Sequence, residues 1–256
     1  VRILLKLGGT LLDQAESRLR LAREITAAAV PDRAITVVHG GGKQMTRFLT
    51  QLGVESRFIN GLRVTDPSVI DAVVKVFKGS VNADLVTAFR AAGNRPVGLS
   101  GLDAGLVDAV ILDPQLGQVG KPVASDARLL EVLTSAGYLP VVACIAGDAS
   151  GNIFNINGDQ MAVACAASFR SDKLFFLTDV DGVKGPDGSV FPTLTVAQCR
   201  QLIADGVATG GMQAKLEAAM DGLLKGVGEV WIAPGAHPGV VAALLSGQSA
   251  GTRITA

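Results

Sequence analysis

The segment Ala34-Ile-Thr-Val-Val-His-Gly-Gly-Gly-Lys43 carries the strongest structural signal in this chain. Its short apolar, β-branched run suits a buried strand, and a triple glycine ends that run just before a segment of helical period. Three successive residues without Cβ let the backbone curl round an anion, and the dipole of the following helix favours negative charge there. A single glycine pair in such a place reads as a turn. Three glycines between an apolar strand and a helix read as an anion site.

The same grammar opens the chain, where Arg2-Ile-Leu-Leu-Lys-Leu runs into Gly8-Gly9-Thr10. Along the whole sequence, candidate strands fall at 2–7, 34–38, 95–99, 139–144, 173–177 and 229–233. Candidate helices fall between them at 16–29, 43–52, 69–91, 126–136, 159–169, 197–205 and 211–224. Strands separated by helical crossovers imply an α/β fold with an open, largely parallel central sheet between helices. The stretch 106–123 breaks the rhythm: 107–112, the turn-rich Asp113-Pro-Gln-Leu-Gly117 and 118–123 read as an inserted β-hairpin. No linker or repeat divides the chain, so 1–256 is read as one α/β domain with lobes of about 1–170 and 171–256.

Composition narrows the function. Glycine is the outlier, 31 of 256 residues or about 12%, against a usual value near 7%. The 23 Lys+Arg cancel the 23 Asp+Glu, so nothing advertises a nucleic acid or an anionic membrane as partner. No apolar run approaches a membrane span and no secretory leader is apparent. Cys144, Cys165 and Cys199 are widely spaced with no C-x-x-C pair, which supports neither a disulfide framework nor a zinc cluster. A cytoplasmic protein is expected.

Two standard nucleotide signatures are absent. Gly42-Lys43 is followed by Gln44 and Gly120-Lys121 by Pro122, so there is no G-x-x-x-x-G-K-[ST] loop. Gly226-Val-Gly228 has Trp231 where a third glycine would stand. Any phosphate site is of another kind.

Several residues carry two readings each. Lys6, ending an apolar strand beside Gly-Gly, either snorkels to solvent or reaches a phosphoryl group as a point charge. Lys215 follows Gly210-Gly211 near a helix start, where a cation opposes the dipole unless an anion joins it. Asn155-Ile-Asn-Gly-Asp159 precedes an Ala-rich helix; Asp159 suffices as its N-cap, which leaves both asparagines unexplained. Arg63, in Asn60-Gly-Leu-Arg-Val-Thr-Asp-Pro67, is a solvated loop arginine or a carboxylate fork, and Asp66-Pro67 reads as a helix start. Thr178-Asp-Val-Asp-Gly-Val183 is a turn or a nucleotide contact. His39 and His237 have no Ser, Cys or Asp arrangement around them and read as structural.

Taken together, Lys6-Leu-Gly-Gly, His39-Gly-Gly-Gly, Asn60-Gly-Leu-Arg63-Val-Thr, Asn155-x-Asn157-x-Asp159, Thr178-Asp-Val-x-Gly182 and Gly210-Gly-Met-x-x-Lys215 resemble, in order and spacing, the motif set of the amino acid kinase family. The Arg63 segment resembles the acylamino-acid binding loop of one branch of it. Gly158 departs from the alanine often found there.

The resemblance implies phosphoryl transfer from ATP to the side-chain carboxylate of N-acetyl-L-glutamate, in arginine biosynthesis. It implies that Lys6 and Lys215 stabilise the transferring group, that Asp159 positions both, and that Gly8 and Gly9 line the transfer site. Gly41, Gly42, Arg63 and Asn155 would hold the acylamino acid on the N-terminal lobe. Asp179, Val180, Asp181, Gly182, Val183 and Lys184, with Val207, Ala208, Thr209 and Gly210, would surround MgATP on the C-terminal lobe. Mg2+ is expected mainly through the ATP phosphates, with no metal site of the protein's own. Arginine-inhibited relatives have a helical extension before the first strand and an acidic residue near the C-terminus; here five residues precede Lys6, and Leu244-Leu-Ser-Gly-Gln248 lacks the acid. An arginine-insensitive homodimer is therefore expected. The alternatives are a kinase for carrier-linked aminoadipate in lysine synthesis, or a catalytically silent ligand sensor.

Overall fold

The computed structural model describes residues 1–256. In chain order the strands are β1 (Arg2–Leu7), β2 (Ala34–His39), β3 (Phe58–Ile59), β4 (Leu62–Arg63), β5 (Pro96–Ser100), β6 (Val107–Ile111), β7 (Val119–Ser125), β8 (Leu139–Ala143), β9 (Ile145–Gly147), β10 (Ile153–Ile156), β11 (Lys173–Thr178), β12 (Thr193–Thr195), β13 (Glu229–Pro234) and β14 (Thr252–Thr255). The helices are α1 (Ala15–Ala28), α2 (Gly42–Gln51), α3 (Pro67–Val74), α4 (Asn82–Ala91), α5 (Arg128–Ser135), α6 (Gly158–Ser168), α7 (Val196–Ala204), α8 (Gly210–Leu224) and α9 (Val240–Leu245).

Eight strands form the central sheet in the order β12-β14-β13-β11-β1-β2-β8-β5. Every pairing is parallel except β13 with β14. The expected open, largely parallel sheet is therefore present, with α1, α4 and α9 packed as one layer and α6 on α8 in the other. Coverage of both faces explains why β1, β8 and β11 are almost uninterrupted apolar runs rather than alternating ones.

The chain leaves β1 through α1 to β2 on one side, while β11, on the other side of β1, follows α6. Crossovers from opposite faces make the β1–β11 boundary a topological switch point, where the carboxyl ends of the strands leave a crevice. The boundary is closed by Gly8 N–H donating to Leu177 O at 2.9 Å.

The inserted hairpin is β6 and β7, paired antiparallel. It does more than the sequence disclosed: with β9 and β10 it closes a four-stranded barrel, in which β10 runs parallel to β7. The segment read as one helix over 69–91 is continuous but not uniform. A π-helical turn, Lys75–Val81, separates α3 from α4. Asp66 caps α3 by accepting from Ser68 N and Val69 N, with Pro67 in the first turn, as the Asp-Pro pair suggested.

Candidate active site

A cleft of about 460 Å³ opens at the carboxyl ends of β1, β2 and β11. Lys6 and Lys215 line it, and Asp159 is buried on α6 behind them. Lys6 Nζ, from β1, stands 2.8 Å from Asp159 Oδ1 as a buried ion pair. Lys215 Nζ, from α8, donates to Oδ2 at 3.3 Å. Burial pushes the Asp159 carboxyl up, but the two ammonium groups outweigh it and hold the carboxyl below its usual range. Burial likewise pulls Lys6 down, and Asp159 outweighs it, so Lys6 is more basic than an ordinary lysine. Two cations on one anion leave a net positive floor.

Asp159 is not the cap of its helix, contrary to the sequence reading. Asn157 is: its Oδ1 accepts from Asp159 N at 2.9 Å and from Gln160 N at 3.2 Å. Because Asn157 satisfies the orphan N–H groups, the Asp159 side chain is released to face the lysines. The other asparagine also has a task. Asn155 Nδ2 donates to the fully buried Thr65 Oγ1 at 3.0 Å, and that hydroxyl donates to Arg63 O at 2.9 Å. The β10 strand and the Arg63 loop are thereby tied together.

Arg63 forms one wall. Asn60 and Gly61 both have positive φ in the two-residue turn of the β3–β4 hairpin, a turn that Asn-Gly favours. The turn brings the Phe58 ring over the guanidinium, 4.7 Å from its carbon. Arg63 donates to Ser56 Oγ, to Gly42 O at 3.0 Å and to Thr46 Oγ1 at 2.8 Å. These neutral partners orient it without neutralising it, and no carboxylate of the chain pairs with it. A planar cation held this way is ready for an incoming anion.

Gly8, Gly9, Gly41 and Gly42 line the same cleft, as do Asn155 and Asp179. Burial raises the Asp179 carboxyl, and hydrogen bonds from its own backbone and the Thr178 and Thr10 hydroxyls bring it below the ordinary value. The other residues expected around a nucleotide lie outside this cleft. Asp181 lines a second cavity of about 410 Å³ with His237 and Pro234. Lys184 pairs with Asp181 at 3.6 Å, Val183 and Ala208 are buried in the core, and Gly210 begins α8. Val180 is exposed, and Gly182, Val207 and Thr209 border these elements. Sequence reasoning passed over Thr46, Ser56, Phe58 and Thr65, whose residue types carry no chemical signal until Arg63 and Asn155 are placed beside them.

No group of three or more His, Cys, Asp or Glu side chains is placed to hold a metal ion. Asp159 is engaged by two lysines. No helix is long and apolar enough to cross a membrane.

Two lysines on one buried carboxylate, glycine-lined strand ends and an unneutralised arginine make a cleft suited to anionic ligands, on a sheet whose switch point faces it. The sequence profile of the amino acid kinase family matches residues 1–234. The chain belongs to that family. Among similar proteins, acetylglutamate kinase of Solibacter usitatus is 57% identical over 254 residues, covering 99% of both chains. Acetylglutamate kinase of Acidobacterium capsulatum is 42% identical, covering 100% of each. Among solved structures, smu.665 of Streptococcus mutans superimposes with a TM-score of 0.84 at 29% identity, covering 99% of this chain and 98% of that one.

Proposed function

We propose that the chain is an acetylglutamate kinase that transfers the γ-phosphoryl group of ATP to the side-chain carboxylate of N-acetyl-L-glutamate, in arginine biosynthesis. The observation that carries this reading is Asp159 drawing Lys6 and Lys215 together at the cleft floor, alongside the matches to acetylglutamate kinases over the whole chain.

A carboxylate oxygen of the acceptor attacks the γ-phosphorus, a new O–P bond forms, and the bond from that phosphorus to the β,γ-bridging oxygen breaks. ADP leaves with the electron pair. No proton moves, so no general base is needed; His39 is fully buried and does not line the cleft. The barrier is the approach of two anions. Lys6 and Lys215 supply charge where it builds up on the phosphoryl oxygens, and the N–H groups of Gly9, Gly41 and Gly42, which donate to no backbone carbonyl, add fixed dipoles; Gly8, whose N–H is bound to Leu177 O, shapes the turn beside them. Asp159 keeps the two ammonium groups from repelling each other apart.

Arg63 and Asn155 would hold the acylamino acid on the lobe of about 1–170. MgATP would bind the lobe of about 171–256 through Asp179, Val180, Asp181, Gly182, Val183 and Lys184 and through Val207, Ala208, Thr209 and Gly210, the ion travelling with the phosphates. A homodimer belongs to the same reading. Val110, Ile111 and Val123 on the β6–β7 hairpin expose apolar side chains, and β5 leaves a sheet edge unpaired; a second copy would cover such surfaces.

A coupled ADP-release assay comparing N-acetyl-L-glutamate, glutamate, N-acetylaspartate and aminoadipate derivatives tests the reading. Turnover that depends on N-acetyl-L-glutamate is expected. Nucleotide binding without such turnover would point instead to a silent sensor.

A further inference from the structure

His39 is fully buried, which suits the structural role its sequence context suggested. One of its two ring contacts, however, runs to the loop lining the cleft and the other to the start of α4. Nδ1 lies 2.8 Å from Gly40 O, and Nε2 lies 2.9 Å from Asn82 Nδ2. A carbonyl oxygen can only accept, so Nδ1 carries the ring proton. Asn82 Nδ2 also donates to Val141 O at 2.9 Å, which by the same rule fixes the amide orientation. Its second hydrogen then points at Nε2, which must present a lone pair. Two backbone carbonyls thus settle the tautomer of the imidazole.

The consequence passes through one peptide plane. Gly40 C=O and Gly41 N–H belong to the same trans unit, in which the two bonds point in opposite directions. Holding Gly40 O on a buried ring nitrogen turns Gly41 N–H the other way, and that N–H donates to no backbone carbonyl. Gly40, Gly41 and Gly42 all line the cleft. A Gly-Gly peptide can otherwise reorient at little cost, since neither side has a Cβ to resist.

The π-helical turn backs this arrangement from beneath. A Cβ at Gly41 would stand 2.9 Å from the Phe77 ring and 3.1 Å from Val81 Cγ2, so the turn presses on the loop at its second glycine. Asn82 comes directly after it. A π-turn inserts one residue and rotates the remainder of the helix by about 100°, which puts Phe77, Val81 and Asn82 together under the loop. Gly98 on β5 makes room, since a Cβ there would collide with Asn82 Oδ1.

We infer that His39 is a positioning residue of the phosphoryl-transfer site: fixed as the Nδ1–H tautomer by Asn82, it holds the Gly40–Gly41 peptide so that Gly41 N–H faces the reacting groups. This rests on the kinase reading above.

The test uses the full chain. The protein has two histidines, His39 and the exposed His237, so 15N-histidine labelling gives two ring systems to assign. Two-bond 1H–15N correlation at neutral pH is expected to show His39 as Nδ1–H; an Nε2–H ring or an imidazolium overturns the inference. Kinetically, His39→Asn keeps an amide N–H near the Nδ1 position and should retain kcat within about fivefold, while His39→Leu keeps bulk without a donor and should lose about 10²-fold. The KM for N-acetyl-L-glutamate should change far less. Wild-type kcat in His39→Leu, or equal loss in both variants, contradicts a positioning role. Should His39→Leu not fold, the tautomer and the asparagine variant decide. Wild type assayed in the same series separates the two claims: absence of acetylglutamate-dependent ADP release defeats the kinase reading itself.

Discussion

Lys6 and Lys215 come from opposite ends of the chain and meet on the two oxygens of one buried carboxylate, at 2.8 Å and 3.3 Å. Neither lysine could be kept so close to the other without Asp159 between them. The triad gathers a net positive charge at the cleft through the chain's own side chains.

Replacing either lysine by alanine should therefore lower kcat by on the order of 10²-fold or more while leaving the KM for N-acetyl-L-glutamate within a few-fold. Steady-state ADP release with each substrate varied in turn measures both parameters. A change confined to KM would move the lysine from the transfer step to substrate binding.

Asp159→Asn removes the charge that both lysines share and keeps the shape. Breaking a buried ion pair leaves uncompensated charge and typically costs about 3–5 kcal/mol. The urea midpoint should fall accordingly. It should recover in part when Lys215→Met is added, because one stranded cation is then removed.

Arg63→Ala should raise the KM for the acylamino acid at least tenfold, with a smaller effect on kcat. Arg63→Lys should not rescue it. A single ammonium cannot donate together to Ser56, Thr46 and Gly42 O and still present N–H groups to a substrate. An unchanged KM in Arg63→Ala would remove the loop from the acceptor site.

His39 links stability to pH. Burial lowers its pKa to about 4 from an ordinary 6.5, with the Gly40 carbonyl opposing weakly. Between those values the unfolded chain binds more protons than the folded one, so stability is full above about pH 6.5 and declines as pH falls towards 4. The loss amounts to roughly 3 kcal/mol at the lower end. Urea denaturation of wild type and His39→Asn between pH 7.5 and 5 should give curves that converge as the pH falls. Parallel curves would show that the ring is not held neutral.

Gly158 tests how tightly Lys6 is packed. A Cβ there would stand 3.1 Å from Lys6 Cε, so the side chain must yield by a few tenths of an ångström. Gly158 is in the first turn of α6, where alanine is the better helix former by up to about 1 kcal/mol. Gly158→Ala is expected to raise the urea midpoint with kcat within about threefold of wild type. Gly158→Val should displace Lys6 and lower kcat much further.

Much of this architecture is legible in the chain because its longer strands are apolar runs and its helices have clear periods. Observed boundaries of the sheet strands β1, β2, β5, β8, β11 and β13 lie within a residue or so of those read from sequence. The two- to four-residue strands β3, β4, β9, β10, β12 and β14 have too few residues to display a period; β9 and β10 complete the barrel, and β12 and β14 the sheet edge, through register alone. The π-turn is invisible for a related reason: one inserted residue scarcely disturbs the apolar pattern of 69–91, yet it decides what Phe77 and Asn82 touch. At the site, charged residues in glycine-rich settings stand out in the sequence. Asn157 as cap and Thr46, Ser56 and Thr65 as supports do not, because their importance comes from neighbours remote in the chain.

Phosphoryl transfer to a carboxylate is tested head-on by trapping the product. Incubating the protein with MgATP, N-acetyl-L-glutamate and hydroxylamine converts an acyl phosphate to its hydroxamate, which is measured by colour or mass. Wild type should form hydroxamate at the rate of ADP release, and Lys6→Ala should form it about 10²-fold more slowly. Nucleotide hydrolysis without hydroxamate, or undiminished hydroxamate in Lys6→Ala, would contradict a lysine-clamped transfer to the acylamino acid.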